Sequence, residues 1–164
     1  MTTNPDGLKE AYRRTAVIGV AMMSTLVMYL VVALVVESTN DPFEGFAGLE
    51  DGGLLRNLFL GLSLLQIVAI KIIRSRALYT PHQPVPYQEA TPARQSQLRS
   101  RLVALSIVTF ALAESIAVFG LVLFLLNGEA TDFYVFLGLS LLTFIMFFPQ
   151  YHQWEAWLQK QPMV

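Results

Sequence analysis

A single carboxylate, Glu114, stands in the middle of Leu102–Leu126, a long, mostly apolar stretch that is otherwise uncharged. At mid-membrane depth an ionised carboxylate costs about 2.5–3.5 kcal/mol even on mild insertion scales, so it must be protonated, ion-bound or hydrogen-bonded. Oxygens at the same depth decide which. Ser115 is adjacent, and Gln66 lies twelve residues into a second apolar stretch, Leu54–Ile73. Lys71, five residues further on, sits about 7 Å nearer the membrane edge at 1.5 Å per residue, which leaves Gln66 as the better partner. A carboxylate, an amide oxygen, a hydroxyl and a backbone carbonyl would together coordinate a hard monovalent cation such as Na⁺. With fewer oxygens the carboxyl carries H⁺, and a protonated Glu114 bonded across helices serves packing alone.

Little else in the chain suggests chemistry. His82 and His152 are solitary, with no partner at i, i+3 or i+4 to build a metal or haem site, and both read as surface residues. No glycine-rich phosphate loop, nucleophile elbow or zinc-protease pattern occurs. The chain therefore has no catalytic constellation of its own.

The elements that position Glu114 follow from composition. Of 164 residues, 54% are hydrophobic and 14% charged; there is no cysteine, and the net charge is −1. This excludes a disordered chain, a basic nucleic-acid binder, a disulfide scaffold and a cysteine-ligated metal site. What remains is an all-α polytopic membrane protein, a single membrane domain. About 20 apolar residues cross a bilayer core, and four segments qualify, at about 16–36, 54–73, 102–126 and 133–151. The second crosses only if Arg56 and Lys71 snorkel to opposite interfaces. The first is too long for a signal-peptide core and has no cleavage site before the acidic loop, so it reads as a retained helix.

Charge gives the orientation. Lys9, Arg13 and Arg14 precede the first span. Lys71, Arg74, Arg76, Arg94, Arg99 and Arg101 lie between the second and third, and Lys160 follows the fourth. The alternate loops hold Glu37, Asp41, Glu44, Glu50, Asp51, Glu129 and Asp132 with Arg56 alone. The positive-inside rule then puts both termini in the cytoplasm, of a bacterial plasma membrane by default since no transit peptide is visible. The segment 75–100, with Pro81, Pro84, Pro86 and Pro92, reads as an extended cytoplasmic loop. Tyr151, Trp154 and Trp157 read as an interfacial belt running into a short surface helix. Phe133, Tyr134, Phe136, Phe144, Phe147 and Phe148 read as lipid-facing or interfacial, with packing against a lipid, quinone or pigment as the alternative. Ser106, Thr109, Ala113, Ala117 and Gly120 form a ridge of small residues that permits close helix packing, within the chain or between subunits.

One stretch is familiar. Ala93-Arg94-Gln95-Ser96-Gln97, then Arg101, then Phe110 to Leu123 around Glu114, resembles the second half of subunit c, the rotor-ring subunit of F-type ATP synthases. That family has an Ala-Arg-Gln-Pro cytoplasmic loop and a mid-membrane carboxylate twenty residues after its arginine. The likeness covers about residues 93–126, with Ser96 at the family's proline and two further spans flanking the hairpin. It implies an ion-transporting homo-oligomer in which Glu114 carries H⁺ or Na⁺ and Arg94 and Gln95 form a loop that contacts a soluble partner. Glu114, Ser115 and Gln66 resemble the sodium-binding variant. The alternative is a non-catalytic four-helix subunit of an energy-transducing membrane complex, in contact with lipid and other membrane subunits.

Overall fold

The computed structural model describes residues 5–40, 42–47, 52–79 and 92–159, without the side chains of 5–6, 77–79, 92–95, 98 and 156–159. The described residues form helices and short connections, with no strand among them. The order is α1 (Pro5–Thr39), α2 (Gly52–Tyr79), α3 (Pro92–Asn127), α4 (Ala130–Phe147) and α5 (Tyr151–Gln159). Four of these, over Gly7–Thr39, Gly52–Arg76, Arg99–Asn127 and Ala130–Phe147, are long and apolar enough to cross a membrane, so the chain is a multi-pass membrane protein in architecture.

The central loop is shorter than its composition suggests. α2 continues through Ser75 to Tyr79 and α3 begins at Pro92, so Arg94 and Gln95 stand on the first turn of a helix and not in a loop. Proline is well placed at a helix's first position, where its missing N–H has no partner to lose, and the alanine, arginine and glutamines that follow are good helix formers. The side chains of Arg94 and Gln95, and all of His82 and Lys160, lie outside the described residues.

α3 is the hub, touching α1, α2 and α4. Leu8 packs with Leu102, and Ala33 with Phe124, so α1 and α3 run parallel, as an even number of intervening crossings requires. The starts of α1 and α3 and the ends of α2 and α4 thus share one end of the bundle. The described basic residues other than Arg56 gather there, whereas Glu37, Glu44, Glu129 and Asp132 lie at the other end.

The small-residue ridge is spent inside the chain. Ser106, Thr109, Ala113 and Ala117 are buried. At Gly120 a Cβ would come within 2.5 Å of the Phe136 Cβ, so only glycine admits α4 this close. The space above the ridge is filled by phenylalanines: Phe110, Phe124, Phe133, Phe136 and Phe144 are fully buried. Three aromatics of the last span therefore form the core, contrary to the lipid-facing expectation: they pack over the small residues of α3 and against its own buried rings, Phe144 on Phe110 (5.7 Å) and Phe133 on Phe124 (6.1 Å). Tyr134, on the other flank of α4, is 45% exposed.

Carbonyls at the C-terminal ends of α1, α3 and α4 find donors within the chain, as a lipid setting favours. Ser38, Thr39 and Asn40 donate to the carbonyls of Val35 and Val36 at the end of α1. At the end of α3, Gly128 N–H donates to Phe124 O (2.8 Å), while Phe46 and Ala47 of the α1–α2 connection donate to Leu125 O (2.8 Å) and Leu126 O (3.2 Å). Arg74 of α2 donates to the terminal carbonyl of α4 at Phe147 and lies 5.6 Å over that residue's ring.

At the basic end, α5 folds back after Pro149. Trp154 is buried against Leu8 and Leu102, and Tyr12 meets Tyr151 and Trp154 edge-on at 5.6 and 5.8 Å. Trp154 is therefore an internal plug joining α1, α3 and α5, not part of a belt of interfacial side chains. The 35-residue α1 and 36-residue α3 each exceed the roughly 20 residues a bilayer core needs, and their excess turns supply the surface that α5 covers.

Candidate functional site

Glu114 is half-buried on the flank of α3 that faces α1. Its Oε1 accepts hydrogen bonds from Thr25 Oγ1 (2.7 Å) and from Tyr29 OH (2.8 Å). Thr25 and Tyr29 are four residues apart, hence one above the other on a single helical face. Both lie near the middle of the first span, level with Glu114 in the third. The setting is apolar, with Met22, Met23, Leu26, Phe110, Ala113 and Ala117 around it. In such surroundings a hydroxyl–carboxyl bond holds helices together because water offers no substitute.

Thr25 has two acceptors within reach, Glu114 Oε1 and its own helix's Met22 carbonyl at 2.6 Å, but only one hydrogen. Turned towards Glu114, it joins Tyr29 in donating to an ionised carboxylate. Turned towards Met22, its oxygen is left to accept the proton of a neutral carboxyl, while Tyr29 still donates. Both protonation states can be hydrogen-bonded with the rotation of a single hydroxyl.

The oxygen set expected from the sequence is not brought together. Ser115 Oγ donates to Leu112 O at 2.8 Å, and as the next residue on the helix it points about 100° away from Glu114. Gln66 belongs to α2, which packs through Leu55, Phe59 and Ile67 on the flank of α3 that carries Ile116, Phe119 and Leu123. There Gln66 Oε1 is buried without a hydrogen-bond partner. Depth alone paired Gln66 with Glu114; the angular position of α2 around α3 separates them. No group of three His, Asp or Glu able to hold a metal occurs among the described residues. A buried acceptor without a donor costs about 1–3 kcal/mol, so Gln66→Leu should leave stability in detergent unchanged or raise it by about 1 kcal/mol, measured by thermal unfolding. A clear loss would restore Gln66 as a ligand.

A second polar pair lies at the acidic end. Asp132, with its side chain 4% exposed, meets Arg56 Nε at 3.2 Å; Arg56 remains 46% exposed. The sequence reading sends Arg56 to the interface by itself and misses this partner. The available signal was that Arg56 and Asp132 are opposite charges at the same end of neighbouring spans. For Thr25 and Tyr29 the signal was equally plain. Besides Ser24 they are the polar side chains in the middle of α1, and they share a face.

At mid-depth Ser140 of α4 donates to Ala113 O (2.7 Å), one residue before Glu114, so the carboxyl's turn of α3 is fastened on two sides. Comparison with protein-family models, with curated protein sequences and with solved structures finds no match to this chain, and the chemistry of Glu114 is that of the three helices around it.

Proposed function

We infer that the chain is a non-catalytic four-helix membrane subunit in which Glu114 anchors α1 to α3. The observation that carries this is that both hydroxyls on Glu114 Oε1 come from α1 of the same chain. A carboxyl so engaged commits one of its two oxygens to holding α1 against α3. The basic end faces the cytoplasm by the positive-inside rule, and a bacterial plasma membrane is the setting this reading takes.

Glu114→Gln retains a carbonyl acceptor for Thr25 and Tyr29 and should be nearly neutral. Glu114→Leu removes the acceptor and strands both hydroxyls, and should cost about 1–3 kcal/mol. Reversible unfolding in mixed micelles measures both. Equal stability of the two variants would remove the anchor.

The two-acceptor position of Thr25 favours a second reading, in which Glu114 exchanges a proton as the likeness to subunit c implies. On that reading a hydrophobic carbodiimide labels Glu114 more slowly as pH rises, and Glu114→Gln abolishes proton movement across vesicles while the fold survives. The scattered positions of Gln66 and Ser115 favour H⁺ over Na⁺. Unlabelled Glu114, or unaltered proton movement in Glu114→Gln, returns the residue to anchoring alone.

A further inference from the structure

Both hydroxyls that hold Glu114 fall on Oε1, which leaves Oε2 to whatever fills the α1–α3 seam beside it. The two directions along that seam are unlike. Towards the basic end the seam opens into a cavity of about 530 Å³ between the first turns of α1 and the N-terminal half of α3. That is far more than the roughly 30 Å³ one water occupies in the liquid. Glu10, Arg14, Ser96, Arg99 and Ser100 line its mouth, and Ile18 and Ile107 its inner end. Glu10 bridges Arg14, and Arg99 also has a partner. The mouth is therefore polar enough to hold water without a surplus of unpaired positive charge to repel hydronium.

The inner end of the cavity is aligned with the carboxyl. Ile18 precedes Thr25 by seven residues, and Ile107 precedes Glu114 by seven. Seven residues are about two helical turns, so each pair shares a face and is about 10 Å apart in depth. Between them stand Ala21 and Ala111, both exposed, whose methyl groups fill little of the seam. Towards the acidic end the seam is stoppered. Tyr29 packs with Ala33, Phe124 and Phe133, and Phe43 covers Phe124 at 5.1 Å. The connection that carries Phe43 is fastened across the end of α3 by Phe46 N–H on Leu125 O. Among the described residues Tyr29 is the titratable group on Glu114; α4 brings Leu137, Phe144 and Phe148 to that cluster, and α2 packs on the other flank of α3.

We propose that Glu114, read as a proton carrier, exchanges with the compartment at the basic end alone, through water in this cavity, a route that rests on that second reading of its chemistry. A hydronium at the inner end gives its proton to Oε2 and leaves as water. In the reverse step water takes the proton, and Thr25 turns its hydroxyl to the ionised carboxylate.

Oriented vesicles of the full-length protein, with pH set separately on the two sides, test the route. A hydrophobic carbodiimide reaches the carboxyl through the lipid and reacts with its protonated form. Labelling of Glu114 should fall about tenfold for each unit by which pH on the basic side exceeds the carboxyl's midpoint, and should ignore pH on the other side. The chain has no cysteine, so single thiols map the path. A charged thiol reagent on the basic side should modify Ile107→Cys and Ala111→Cys about tenfold faster than Val118→Cys, one turn past Glu114, because a dewetted apolar stretch excludes it. All three positions lie outside the buried core, so none of these substitutions opens it. Labelling that follows pH on the acidic side or on both, or Ala111→Cys no faster than Val118→Cys, would overturn the route and leave Glu114 a proton carrier. Labelling indifferent to pH on either side would end the proton reading, and the route with it.

Discussion

Gly128→Val should destabilise the protein by about 3–5 kcal/mol, among the largest costs of any single substitution in the chain. Two effects combine. Gly128 has φ +76° and faces Gly45 at φ +84°, and a side-chain-bearing residue pays about 1–2 kcal/mol for that left-handed conformation. A Cβ on Gly128 would also come within 2.5 Å of Phe43 O, 2.7 Å of Glu44 C and 2.8 Å of Gly45 N. Those atoms are backbone and cannot rotate aside, so the α1–α2 connection must back away. It then releases its bonds to Leu125 and Leu126, and two carbonyls at a helix end lose partners worth about 1 kcal/mol each. Gly138 is the control. It sits on α4 with nothing within 4 Å of a built Cβ, so Gly138→Ala should leave stability unchanged or improve it. Unfolding in mixed micelles compares them, and similar midpoints for the two variants would refute the account of the paired glycines.

The second large effect is asymmetric. Arg56→Met leaves the Asp132 carboxylate buried without its partner and should cost about 3 kcal/mol. This is the lower end of what breaking a buried pair costs, because Arg56 is half-exposed and the Asp132 carboxylate keeps the help of the first turn of α4. Asp132→Asn leaves an arginine that reaches interfacial water through its long stem, and should cost about 1 kcal/mol. The double variant Arg56→Met, Asp132→Asn should be more stable than Arg56→Met alone, since the uncompensated charge is gone. A double-mutant cycle on unfolding free energies reads the coupling. Equal costs for the two single changes would mean that the pair is solvated and contributes little.

Much of the architecture was readable from the residues. Hydropathy located three spans outright; the second needed Arg56 and Lys71 at its ends to snorkel and was supported by the alternation of acidic and basic connections, which also required α1 and α3 to run parallel, as they do. Boundaries near charged residues were not readable. Helices need no apolar side chains once they leave the lipid, so α2 runs on through Arg74 and Arg76 and α3 begins ten residues before its hydrophobic stretch. Rotation about the helix axes was the other blind spot. A sequence assigns depth along a membrane helix well and azimuth poorly, so Gln66, at the right depth, lands on the wrong flank of α3. Thr25 and Tyr29, at the same depth on another helix, become the partners of Glu114. The small-residue ridge contains azimuthal information that depth ranking does not use. Ala113, Ala117 and Gly120 mark the flank where α4 approaches, and Glu114 lies one step around from it.

α2 meets the bundle chiefly along one seam on α3, where Phe59 and Phe119 stack at 5.0 Å, and it is tied to α4 near both extremities, through Arg56 and through Arg74. Mechanically this is a shutter hung on one axle and latched at top and bottom. Releasing either latch lets the helix swing about the stacked rings without tearing the three-helix block behind it. The latches sit at opposite faces of the bilayer, joined by about 27 Å of stiff rod. A push on one face therefore arrives at the other as a change of tilt.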